Sequence, residues 1–63
     1  MNWDDFFKAM IAEEYAAKAK YAAAAVEAGD PKLKDLLEQF EYEESVHADM
    51  LEGEYEKWRK RKT

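Results

Sequence analysis

Gly29-Asp30-Pro31 stands near the middle of a chain that otherwise reads as continuous helix, and it confines the fold to two helical arms joined by one tight turn. Glycine at a helix C-terminal cap, aspartate as the next N-cap and proline at the first helical position together form a stop and a restart. Upstream, Asn2 is an N-cap candidate with Asp4 and Asp5 in the first turn, where negative charge is favoured. From Ala9 to Ala28 the sequence is rich in Ala, Glu and Lys, the strongest helix formers. Downstream only Gly53 weakens the second arm, at a cost of about 1 kcal/mol. The expected fold is all-α: one αα-hairpin over residues 1–63, with helix 1 about 3–28, a turn at 29–30 and helix 2 about 31–61.

A hairpin of 63 residues cannot enclose a core, because each arm has one neighbour. The chain has no cysteine, which removes disulfides and thiolate metal sites as staples. Oligomerisation, metal binding or both must then supply the missing stability. The expected assembly is a homodimer of antiparallel hairpins forming a four-helix bundle, with higher oligomers open. No apolar run nears the roughly 20 residues needed to cross a bilayer, and the N-terminus lacks a signal-peptide pattern, so a cytoplasmic chain without a membrane partner is expected. Residues 57–62 hold five of the ten basic residues, leaving 15 acids against 5 bases in residues 1–56. That acidic body favours cations and argues against nucleic acid, while the basic end complements a helix dipole.

Both arms carry a 4,3 apolar stripe. In helix 1 it reads Trp3, Phe7, Met10, Glu14, Ala17, Tyr21, Ala24, Ala28; in helix 2, Leu33, Leu37, Phe40, Glu44, His47, Leu51, Glu54, Trp58. Glu14 interrupts the first stripe, and Glu44 with His47 the second. A buried carboxylate costs several kcal/mol unless it is paired or metal-bound, at the order of magnitude known for buried charges. Counted from the midpoint between Gly29 and Asp30, Glu14 lies 15.5 residues back, with Glu44 14.5 and His47 17.5 residues forward. All three fall at one height, about 23 Å from the turn at 1.5 Å per residue, near the middle of both arms. A dimer with turns at opposite ends would bring two such sets together as four glutamates and two histidines. One Glu from each of two helices and a Glu-x-x-His from each of the others is the ligand set of di-iron and di-manganese carboxylate bundles. Two divalent ions need that much negative charge, and imidazole favours iron, manganese or zinc over calcium or magnesium.

Through Glu13-Glu14-Tyr15, Tyr21, the turn and Glu43-Glu44-Ser45-Val46-His47-Ala48, the chain resembles the ferritin-like di-iron carboxylate superfamily over about residues 10–52. Its half-bundle members, such as encapsulated ferritins, are the nearest in kind, and the rubrerythrin four-helix domain is more distant. The resemblance implies Glu14 as terminal ligand, Glu44 as bridging ligand, His47 as terminal ligand and Tyr21 as a hydrogen-bonding group behind them. It also implies two iron ions per dimer, with manganese or zinc as substitutes, and ferroxidase-like oxidation of ferrous iron by dioxygen or peroxide, with Glu14, Glu44 and His47 as the catalytic set. Neither a cargo peptide nor the cysteine-bearing electron-relay module of those relatives is visible.

Other readings stand beside this one. The chain can be a non-catalytic hairpin dimerisation module in which Glu14 and His47 pair, or a minimal or designed metal-binding half-bundle. Haem held by His47 from each chain leaves the carboxylates unused. Glu54, near Asp4 and Asp5 in height, reads as a secondary metal site or a solvated end; Glu13 and Glu41 as guides for metal or a solvated face. Tyr15, Tyr42 and Tyr55 fall off the stripe, as cover for the core's edge or contacts between dimers.

Overall fold

The computed structural model describes residues 1–62 and consists of two helices, α1 (Trp3–Glu27) and α2 (Pro31–Lys62), folded back on each other as a hairpin of 50 × 15 × 13 Å. The start of α1 is fixed by Asn2, whose Oδ1 accepts from the Asp5 N–H at 3.1 Å while its carbonyl accepts from Phe6 at 3.0 Å. α2 starts in the same way. Asp30 Oδ2 accepts from the Leu33 N–H at 3.0 Å and the Asp30 carbonyl from Lys34 at 2.9 Å, with Pro31 in the first position, where a missing N–H costs nothing.

The C-terminal end of α1 differs from expectation. Ala28, not Gly29, caps the helix, in an extended conformation (φ −69°, ψ 118°), and its N–H donates to the Ala25 carbonyl at 3.4 Å. No glycine among the described residues has positive φ. Pro31 accounts for part of this, since proline disfavours the helical region for Asp30 before it, and α1 ends short of that residue.

Contact between the arms takes in most of the predicted stripe and the position after it. The buried side chains among the described residues are Ala25 (4% exposed) and Ala48 (1%), neighbours of the predicted Ala24 and His47. Trp3, Leu33, His47 and Glu54, four predicted stripe positions, are exposed, whereas Ile11, Lys18, Glu41 and Tyr55 are half-buried. Two helices alone meet along a single line, so side chains on either shoulder of that line keep part of their exposure.

Aromatic side chains close the open ends of the arms. Phe7 stacks on Tyr55 at 5.2 Å and touches Trp58 at 6.1 Å, with Phe6 edge-on to Phe7 and Trp3 edge-on to Phe6. The basic end of α2 joins in: Arg59 lies over the Tyr55 ring and Lys62 over Trp58, as cation–π contacts that also place positive charge at the helix C-terminus. No described helix is long and apolar enough to cross a membrane.

Candidate metal centre

Matched heights put Glu14 of α1 across from Glu44 and His47 of α2, and the i, i+3 spacing keeps the latter two on one face. One ligand atom from each of the three lies within 4.8 Å of the others. His47 Nδ1 is 3.4 Å from Glu14 Oε2 and 3.9 Å from Glu44 Oε1. The two carboxylates are 18% exposed and the imidazole 55%. His47 thus stands at the rim of the cluster on the open side of the hairpin, because Ala48 has taken the position between the arms.

The electrostatics are those of two anions pressed together. The Glu14 carboxylate beside it holds Glu44 above the ordinary carboxylate range; partial desolvation adds to this, and His47 opposes it. Glu14 Oε2 is buried with no hydrogen-bond partner among the described residues. Buried polar atoms are almost always satisfied, so a carboxylate oxygen without a hydrogen bond, beside a second carboxylate and an imidazole, is a candidate position for a cation. Two carboxylates and one imidazole suit iron, manganese or zinc by donor type.

Tyr21 packs its ring against Phe40 at 5.3 Å, and no hydrogen bond links its hydroxyl to Glu14 or Glu44 among the described residues. The other acidic candidates are engaged elsewhere or open. Glu54 pairs with Lys57 at 3.6 Å, Asp4 with Lys8 at 3.0 Å, the Glu41 carbonyl accepts from Ser45 Oγ at 3.3 Å, and Glu13 is exposed. No second group of three or more His, Cys, Asp or Glu side chains placed to hold a metal ion occurs among the described residues.

Two interhelical tyrosine contacts were not foreseen from the sequence. Tyr55 donates to Asp4 and Tyr15 to Glu52, each phenol being held above its ordinary range by its carboxylate partner. The Tyr55 hydroxyl, followed by Lys8, in turn holds Asp4 below the usual carboxylate range. For Tyr55 the available signal was height again, since 4 and 55 are equidistant from the turn, whereas Tyr15 and Glu52 differ in height and carried no such signal. Met10 and Met50 lie beside the site: with Glu14, His47, Leu51 and Glu54 they line an open groove of about 360 Å³.

No family model, curated protein or solved structure matches this chain. The likeness to ferritin-like proteins therefore rests on the Glu14, Glu44 and His47 pattern and its register across the turn.

Proposed function

We propose that this chain is half of a di-metal carboxylate protein, most simply di-iron, whose centre is shared across a homodimer and oxidises ferrous iron with dioxygen or peroxide. The orphaned, buried Glu14 Oε2 carries this reading. Glu14, Glu44 and His47 hold the metal, with manganese or zinc also suited to them. Bound iron supplies the redox change and the activation of the oxidant. The chain's part is to present one imidazole and two carboxylates within 4.8 Å of one another. His47, standing at the rim, is reachable by an arriving ion and by a second chain. Glu44, held above the ordinary carboxylate range by the neighbouring Glu14, is returned toward its charged form when a cation binds beside it.

The apolar side chains left exposed on α2 support the dimer. His47, Leu33, Leu36 and Met50 are left exposed by the hairpin's own contact, and a second hairpin with its turn at the opposite end would cover them and bring two clusters to one height. Tyr42, 69% exposed, remains available for contacts beyond a dimer.

Anaerobic titration with ferrous iron, read by native mass and melting temperature, tests the reading. Saturation at two irons per dimer with a rise in melting temperature is expected, and Glu14→Gln or His47→Ala should weaken binding strongly and blunt the rise. Absence of stoichiometric binding overturns it. A second reading, a metal-free dimerisation module, is favoured by the exposed apolar side chains and by the Glu14–His47 pair at 3.4 Å. Under it Glu44→Ala and His47→Ala would leave the dimer intact or strengthen it, with no response to metal.

A further inference from the structure

The chain has three methionines, and the two other than Met1 line one groove together with its single histidine. Met10 lies 19.5 residues before the middle of the turn and Met50 20.5 after it, a height difference of about 1.5 Å at the helical rise. His47 and Met50 are i, i+3 on α2, so they share a face. Met50 is 65% exposed, an unusual position for a side chain whose ordinary use is to fill a core. The imidazole's orientation adds a second element. Its Nδ1 is the nitrogen set against Glu14 and Glu44, at 3.4 and 3.9 Å, which leaves Nε2 as the nitrogen directed away from that carboxylate pair. Where Nδ1 carries the proton next to the carboxylates, Nε2 presents a lone pair.

We propose that Met10, His47 and Met50 bind one soft monovalent cation per chain, Cu(I) or its redox-inert analogue Ag(I), in this groove. Thioether sulfur is a poor donor to hard divalent ions and a good one to Cu(I), and two thioethers with an imidazole form a neutral, low-coordinate set suited to a single positive charge in apolar surroundings. Leu51 supplies those surroundings, and Glu14 stands close enough to balance the charge. The site differs from the carboxylate cluster in donor type and does not depend on it. The two share His47, whose neutral imidazole has one nitrogen lone pair, so a soft ion held on Nε2 leaves Nδ1 protonated beside the carboxylates and competes with a hard ion for the ring.

The test is Ag(I) titration of the full chain carrying ¹³C-labelled methionine methyls, followed by NMR and native mass. One Ag(I) per chain is expected, with the Met10 and Met50 methyl resonances shifting at one equivalent while Met1, 86% exposed, serves as an internal control and stays in place. Met10→Leu and Met50→Leu conserve volume and should each weaken Ag(I) binding by about tenfold or more, the scale on which a lost metal-site group is felt. Ferrous binding should persist in both variants, since Glu14, Glu44 and His47 are untouched. Equal shifts at Met1, no shift at all, or unchanged Ag(I) affinity in the double leucine variant would overturn the proposal. The wild-type methyl readout decides the matter even if a leucine variant folds poorly. Failure of ferrous binding alongside intact Ag(I) binding would sink the carboxylate reading and leave this one standing.

Discussion

Glu14 and Glu44 determine at the residue scale how the metal-free hairpin behaves. Because the folded state holds the Glu44 carboxyl above its ordinary range, it takes up a proton more readily than the unfolded chain. The stabilisation from that proton is fully present below the unfolded value of about 4.3 and is lost as pH rises through the folded one. Asp4 runs the other way, its contribution being lost only when acid passes its lowered value. Between neutrality and about pH 4.3 the metal-free protein should therefore gain stability with acid, as thermal melts at low ionic strength would record. Glu44→Gln should flatten that gain, and a wild type that loses stability steadily over the same window would mean that the carboxylates do not meet. Glu14→Gln separates stability from binding. It removes the charge from the orphaned oxygen's side chain and should raise the metal-free melting temperature, while weakening ferrous or Co(II) binding by about 100-fold, the upper end of what loss of a group supporting a metal site costs. Isothermal titration beside the melts would show both.

Within the elements, the caps and the single weak point of α2 are the places where one substitution acts cleanly. Asp30→Ala removes the acceptor for the Leu33 N–H and should cost about 1 kcal/mol, seen as a lower midpoint in urea with little change in slope. Gly53 lies inside α2, has no positive φ, and a Cβ there would meet nothing within 4 Å. Gly53→Ala should accordingly stabilise the hairpin by about 0.5–1 kcal/mol, since alanine narrows the freedom of the unfolded chain and the added methyl points into open space. A destabilised alanine variant would indicate that another surface approaches α2 at residue 53.

For the whole molecule, two arms meet along one line, and apolar side chains such as Leu33, Leu36 and Met50 are left outside it. The melting temperature should rise with protein concentration and rise further with ferrous iron, as expected when assembly and ligand bind only the folded form. Sedimentation over a hundredfold range of concentration, with and without metal, would check this, and an invariant monomer in both series would remove the shared centre. Much of the fold was legible because it depends on local chemistry. Asp30 and Asn2 are caps wherever their helices lie, the turn has only one place to form, and equal distances from it put Glu14 level with Glu44 and His47 whatever the arms' rotation. Rotation is what the sequence could not set. A helix turns by 100° per residue, so Ala24 and Ala25, or His47 and Ala48, differ by about one flank of the helix, and which flank meets the neighbour depends on how the other arm lies. Only the tertiary structure decided that Ala25 and Ala48 fill the space between the arms, that His47 stands at the rim, that Ala28 rather than Gly29 ends α1, and that Tyr55 locks onto Asp4. Hydrogen-bonding preference and distance along the helix axis are written residue by residue, whereas the azimuth of each arm is fixed by its partner.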